Sequence, residues 1–314
     1  MHKLNTFEYE FRFVALAEQP LIKANHTLGY DIRVIVILYQ VAAITPHGLY
    51  ARKGQTQYVI NMVKDTAKRA LIESQFSTFS MLVPELFQAV EGRKMSNEAL
   101  QHLGYPEFKA KYGNFGTLPA FGCSMSHFNL YNKMAKASEE SALILEDDAI
   151  LSPKLANELQ PIEEYINKVG SPAVILLTPD FIYHKSECLS KTSNGTSIVK
   201  VENGCMTSGY IINKAAAQLL SSVLFPIRFI ADEWAEFQKL GLTIYGVVPH
   251  LVSYPEGLGE IGRSQHLIKE STLKKLRHVV GRCKARLFHI IRYCKGYYYC
   301  PLNFKDSKNV WLER

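Results

Sequence analysis

Long apolar runs are missing from this 314-residue chain, and the stretch 34–44 falls well short of the roughly 20 residues a membrane-spanning helix needs. Missing too is the basic, then apolar, then small-residue pattern of a secretory signal. Cysteines are few. The six present, Cys123, Cys188, Cys205, Cys283, Cys294 and Cys300, form no C-x-x-C pair and no dense spacing. That argues against a disulfide framework or a zinc site and for free thiols in a reducing compartment. The sequons 25–27 and 194–196 would matter only in a secretory protein. A cytoplasmic, non-spanning protein is therefore expected. No Gly-rich phosphate loop or nucleophilic aspartate motif is present either, which leaves a metal-dependent phosphoryl-transfer enzyme the least favoured reading.

A net excess of one charge sign is missing outside one segment. Between positions 269 and 295 nine Lys or Arg residues face a single acid, Glu270, so that stretch carries +8 of a formal total of +7 and leaves the rest near −1. No nucleic-acid partner is expected for the main body. Apolar residues spaced through the same stretch, followed by Tyr297-Tyr298-Tyr299, make the C-terminal segment 266–314 a basic amphipathic helical tail. It could rest peripherally on the anionic inner membrane or dock on the protein.

With 47% hydrophobic and 21% charged residues the remainder can bury a substantial core. Residues 1–55 fit poorly with the rest of the chain and read as an N-terminal extension, either an appended element or sequence upstream of the true start. From 56 to 265 strands alternate with helices. Strands are expected at 57–61, 87–90, 142–145, 173–177, 208–212 and 243–248, and helices at 64–76, 128–138, 155–169, 214–223 and 232–240. A loop is expected over 104–119 and a hairpin or flexible loop over 184–195. This alternation predicts an α/β domain with a mostly parallel central sheet covered on both faces.

The most informative run is Ala142-Leu143-Ile144-Leu145-Glu146-Asp147-Asp148, a buried strand that delivers three carboxylates at its end. Ligands of open α/β sheets bind beyond the carboxyl ends of strands. Adjacent acids raise one another's pKa, so a site that keeps them ionised supplies a cation. Alternation along extended backbone lets Glu146 and Asp148 face one ligand while Asp147 turns to a loop or helix N-terminus. The bland alternative is a solvated turn capping the next helix.

The ordered motifs resemble glycosyltransferase family 25, the lipooligosaccharide galactosyltransferases of bacteria, which also has eukaryotic collagen-modifying members. The resemblance covers about 57–265. It runs through Val59-Ile60-Asn61-Met62 with Lys68-Arg69, Ala89-Val90-Glu91-Gly92, Gly122-Cys123 with Ser126-His127, the acidic strand, Ser208-Gly209-Tyr210-Ile211-Ile212 with Lys214-Ala215-Ala216, and Ala231-Asp232. The resemblance implies a GT-A-like nucleotide-binding sandwich and inverting transfer of galactose from UDP-galactose to a lipid-linked oligosaccharide acceptor of lipooligosaccharide or lipopolysaccharide.

Departure of a sugar from a diphosphate needs charge neutralised on phosphate oxygens, a task for Mn²⁺ or Mg²⁺ held by hard oxygen ligands. Asp148 is the first candidate ligand, with Glu146 and His250 completing the set. Glu146, Asp147, Arg69 and His127 are candidate donor-binding residues. Asp232 is the candidate base for the acceptor hydroxyl, Glu233 its substitute, and Trp234 a sugar platform or a core residue. Cys123 reads as small packing. The alternative is a non-catalytic nucleotide- or glycan-binding relative, in line with the departures from the family pattern near Phe121 and Glu260.

Overall fold

The computed structural model describes residues 56–79, 82–255, 291 and 293–299. The proposed extension 1–55, the segment around Glu260 and most of the proposed tail 266–314 lie outside them. In chain order the elements are β1 (Thr56–Asn61), α1 (Thr66–Phe76), β2 (Glu85–Gln88), a 3-10 turn (Gly92–Lys94), α2 (Asn97–Leu103), α3 (Tyr105–Tyr112), α4 (Leu118–Lys136), β3 (Ser141–Glu146) and β4 (Ile150–Leu151). They continue with α5 (Leu155–Lys168), β5 (Ala173–Leu176), β6 (Phe181–Lys191), β7 (Ser197–Gly204), β8 (Gly209–Asn213), α6 (Lys214–Val223), α7 (Trp234–Lys239), β9 (Thr243–Val248), β10 (Val252–Ser253) and β11 (Tyr297–Tyr299).

Nine strands make one sheet in the order β11-β6-β7-β9-β5-β8-β3-β1-β2. It is mixed, which corrects the mostly parallel expectation. Strands β1, β2, β3, β5, β6 and β9 run one way, but β7, β8 and β11 are reversed between or beside them. Neighbours therefore pair parallel only at β1/β2, β1/β3 and β5/β9. The chain enters β7 from β6 through a hairpin, so those two neighbours are antiparallel.

Period-two alternation splits each central strand between two cores. Ala142 and Ile144 of β3, Tyr210 and Ile212 of β8, and Val174 and Leu176 of β5 pack with Leu130 and Met134 of α4, Leu220 of α6 and Phe237 of α7. Leu143, Leu145, Ile211 and Ile175 point the other way, toward Ile72 of α1 and Ile162 and Ile166 of α5. Burying each such aliphatic side chain contributes about 1.5–3 kcal/mol. The sheet is covered on both faces, and the tip of β3 is held rigidly.

Helix α4 begins ten residues before the expected 128. Thr117 caps it, its Oγ1 accepting the Ala120 N–H at 3.3 Å, and Pro119 sits in the first turn where its missing N–H costs nothing. The stretch 104–119, expected as a loop, holds α3. The hairpin expected over 184–195 is larger, formed by β6 and β7. The tyrosine triplet is an edge strand: β11 pairs antiparallel with β6, and Tyr298 lies against Tyr183 at 6.3 Å between ring centroids. Among the described residues no helix is long and apolar enough to cross a membrane.

Candidate functional site

β3 runs fully buried through Leu145 and then turns. The Ala149 N–H donates to the Glu146 carbonyl at 3.1 Å, closing a turn with Asp147 and Asp148 at its two central positions. The three carboxylates fan apart. Asp147, 7% exposed, swings toward the start of α1, where Asn61 Nδ2 donates to its Oδ2 at 2.8 Å and Lys68 Nζ to its Oδ1 at 3.0 Å. Asp147 thus anchors the turn through both oxygens.

Asp148 stays half-buried, with Oδ2 3.7 Å from Lys68 Nζ and Oδ1 buried without a hydrogen-bond partner. Burial, then the Glu146 charge, pushes its carboxyl up to about 6, with Lys68 opposing them. Burial alone would lower the Lys68 ammonium, but Asp148 and Asp147 outweigh it and hold the group above its ordinary value. One lysine against this group of acids leaves a negative excess. An orphaned hard oxygen in such a field suits a divalent cation of the Mn²⁺ or Mg²⁺ kind.

Glu146 turns back under the sheet edge. Thr207 Oγ1 donates to its Oε1 at 2.5 Å, and His127 Nε2 lies 3.3 Å from the same oxygen. Burial pushes the Glu146 carboxyl up, but His127, Thr207 and Lys68 outweigh it and hold it below the ordinary range. His127 Nδ1 lies 2.7 Å from the Tyr210 hydroxyl, which lies 3.0 Å from that of Tyr131. Burial pushes both phenols up, so they remain protonated links of one buried chain, Tyr131–Tyr210–His127–Glu146–Thr207.

The Gly-Cys and Ser-His motifs of α4 acquire physical reasons here. A Cβ on Gly122 would meet the Val90 carbonyl oxygen at 2.6 Å and the Gly92 nitrogen at 2.7 Å, so only glycine lets α4 touch the turn after β2. Ser126 Oγ accepts the Val90 N–H at 2.8 Å and donates to the Gly122 carbonyl at 2.7 Å, fastening the same contact. One turn of helix thus fixes both the β2 edge and the His127 ring.

Asp232 lies within electrostatic reach of Glu146 and His127. Its Oδ2 accepts the Met206 N–H at 3.2 Å, and Trp234 Nε1 donates to the Met206 carbonyl at 2.9 Å. Met206 is held at φ 70°, a left-handed conformation that a non-glycine residue adopts at a cost. Burial raises the Asp232 carboxyl, the Met206 N–H lowers it, and Glu146 raises it further. Trp234 is fully buried against Tyr210 at 5.4 Å, a core residue and positioning clamp rather than a sugar platform.

The other candidates scatter. Arg69 points to solvent and pairs with Glu73 at 2.9 Å on its own helix; its neighbour Lys68 is the cation that reaches the acids. Glu233 is engaged by the Tyr112 hydroxyl, which also accepts the Ile230 N–H at 3.1 Å. His250 is buried just before β10, whose Val252 and Ser253 pair with Leu151 and Ile150. Among the described residues, the three potential ligands whose atoms all lie within 4.8 Å of one another are Cys123, His127 and Glu146.

Asp180, which follows β5, was not anticipated. The Tyr254 hydroxyl lies 2.8 Å from both its carboxylate oxygens, and its backbone carbonyl accepts the Cys205 N–H at 2.9 Å. Burial raises its carboxyl, the Tyr254 hydrogen bond opposes this, and the Asp232 charge adds to the rise. Thr207 was missed as well; its signal was a polar residue just ahead of the strand motif Ser208-Gly209-Tyr210. Beyond the ends of β1 and β2 opens a cleft of about 510 Å³ lined by Val63, Gln88, Glu91, Lys94 and Met95 among others.

Comparison with known proteins bears on this arrangement. The family model described as "Glycosyltransferase family 25 (LPS biosynthesis protein)" matches residues 54–235. A "Glycosyltransferase 25 family member" of Drosophila melanogaster is 27% identical over 277 residues, covering 76% of this chain and 44% of that protein. A namesake from Anopheles gambiae is 25% identical over 218 residues, covering 63% of this chain and 36% of the relative. The chain spans less than half the length of these curated relatives. A solved glycosyltransferase involved in glycosylating the major capsid of PBCV-1 aligns over 68% of this chain and 98% of its own at 13% identity. Its TM-score of 0.31 carries no weight for the fold.

Proposed function

The chain belongs to glycosyltransferase family 25, and from that premise we propose that it transfers a sugar from a nucleotide diphosphate donor to a glycan hydroxyl. The donor proposed is UDP-galactose, the fold role that of a GT-A sandwich, and the outcome inversion at the anomeric carbon. The observation that supports this most is Asp148, whose Oδ1 is buried and unpartnered at the carboxyl end of a central strand, beside Lys68.

Asp148 would hold Mn²⁺ or Mg²⁺, which when bound neutralises the charge that gathers on the departing diphosphate. Lys68 adds a fixed positive charge on the α1 side of the same oxygens. The cleft at the ends of β1 and β2 suits the nucleoside, since it opens where the strands end and the first loops leave the sheet.

On the opposite side Asp232 takes the acceptor proton. As the acceptor oxygen forms its bond to the anomeric carbon, the bond from that carbon to the diphosphate breaks and its electron pair leaves with UDP. The hydroxyl proton passes to Asp232. A carboxylate raised by burial is a stronger base than one in water, and the Met206 N–H keeps it aimed. The proposed acceptor is a lipid-linked oligosaccharide of the lipooligosaccharide class. The basic stretch 269–295 would bring the enzyme to an anionic membrane surface.

The test is incubation of the purified chain with radiolabelled UDP-galactose, Mn²⁺ and a lipooligosaccharide acceptor, with UDP-glucose and UDP-N-acetylglucosamine in parallel. Label moving to the acceptor from UDP-galactose alone supports the full reading. Transfer from a different donor overturns the galactose assignment, and no turnover or binding of any donor overturns the enzymatic one.

A further inference from the structure

We propose that Cys123, His127 and Glu146 form a binding site for a thiophilic divalent cation, Zn²⁺ in chemical class, separate from the hard-cation role given to Asp148. Cys123 and His127 stand four residues apart on α4, so both project from one face of the helix toward the end of β3, where Glu146 arrives. Two ligands on one tetrahedral zinc stand about 3.3–3.6 Å apart, from Zn–N near 2.0 Å and Zn–S near 2.3 Å. His127 Nε2 and Glu146 Oε1 are already 3.3 Å apart. The full trio lies within 4.8 Å, so the thiol closes the set by a movement of about 1 Å, within reach of a side-chain torsion.

The partners behind these ligands are also in place. A zinc-bound histidine characteristically engages a partner through its other ring nitrogen, and His127 Nδ1 meets the Tyr210 hydroxyl at 2.7 Å, itself backed by Tyr131. Thr207 orients Glu146 through a 2.5 Å hydrogen bond. Burial, then the charges of Glu146, Asp232 and Asp148, keeps the thiol protonated, and the same negative charges draw a dication. Binding expels the thiol proton to solvent and forms the metal–sulfur bond in its place, while the neutral His127 ring carries its one proton on Nδ1, donated to the Tyr210 hydroxyl, and leaves the Nε2 lone pair for the ion. Three protein ligands leave the fourth position to water, the pattern of open zinc sites rather than closed structural ones. Cysteine spacing gave no hint of this, because the trio joins one helix to a strand rather than forming a C-x-x-C pair.

Co²⁺ is the probe, since thiolate ligation gives it an intense near-ultraviolet charge-transfer band and tetrahedral geometry gives strong visible absorption. Titrating the full chain with Co²⁺ should produce both at one equivalent, and Zn²⁺ should abolish them. C123S should lose the charge-transfer band, H127Q should weaken binding at least tenfold, and C205S and D148N should keep the band. An unfolding curve for C123S, with C123A as second variant, separates loss of ligand from loss of fold. A wild-type protein without the band, or a band that survives in folded C123S and C123A, overturns the site. Because D148N tests the donor reading and C123S this one, either can fail alone.

Discussion

Gly92 and Gly122 meet backbone to backbone: a Cβ on Gly122 would lie 2.7 Å from the Gly92 nitrogen, and one on Gly92 would lie 1.9 Å from the Leu118 carbonyl oxygen. The turn after β2 and the first turns of α4 therefore share one contact that no side chain can enter. His127, five residues beyond Gly122, inherits its position from that contact.

Gly122→Ala should therefore cost more than the glycine-to-alanine change gains in helix propensity. The obstacles are backbone atoms, which must move, so the net destabilisation expected is about 1–3 kcal/mol. Urea unfolding followed by circular dichroism reads it. A variant as stable as the parent would show that the contact is loose.

Asp148 carries a pH signature. Its folded-state carboxyl, pushed up to about 6, lies above the unfolded value, so the folded protein binds the proton more tightly and stability falls as pH rises from about 4 to 6. Above pH 6 the ionised group costs roughly 1–3 kcal/mol. Asp148→Asn should raise stability at pH 8 and leave it unchanged near pH 4. Donor turnover should vanish in the same variant, and the Mn²⁺ concentration that gives half-maximal wild-type turnover should rise as pH drops through about 6, because proton and ion compete for the same carboxylate. Thermal melts across pH check the first pair of outcomes, initial rates the second.

Lys68 and Arg69 separate two readings of one motif. Lys68 touches Asp147 and approaches Asp148, whereas Arg69 pairs with Glu73 in solvent. Lys68→Met should lower kcat/KM for the donor by about 10- to 100-fold, the scale of losing one preorganised charge at a leaving group. Arg69→Met should stay within about twofold, as exposed pairs contribute little. Steady-state kinetics with varied donor decide between them, and equal losses would contradict the geometry.

Met206 and Trp234 offer a test of strain. Met206→Gly removes the left-handed penalty and should be neutral or stabilising by up to about 1 kcal/mol. Trp234→Phe strands the Met206 carbonyl, loses core volume and should cost about 1–3 kcal/mol. It should also lower kcat more than it raises KM, because Asp232 loses the peptide that aims it. Paired chemical denaturation and kinetics read both effects.

Much of this was legible in the residues. The apolar run ending in Glu146-Asp147-Asp148 identified both the buried strand and its acidic tip, and β9 and α6 matched their expected spans. The start of α4 was hidden because Pro119 and Gly122 read as breakers, while one serves the first turn and the other a close packing contact. The roles of Lys68 and Arg69 depend on the rotational phase of α1 against β3, which neighbouring basic residues do not reveal. The reversal of β8 was hidden because hydrophobic alternation is the same in either direction. Asp180, Thr207 and the Cys123–His127–Glu146 group come from separate elements, so no local pattern joins them.

The most direct measurement is calorimetry of UDP binding with and without Mn²⁺, on the wild-type chain and on Asp148→Asn. A saturable UDP isotherm that strengthens with Mn²⁺ in the wild type and loses that metal dependence in the variant is the expected result. Equal Mn²⁺-dependent binding by both would remove Asp148 from the donor site and contradict the assignment of the acidic turn.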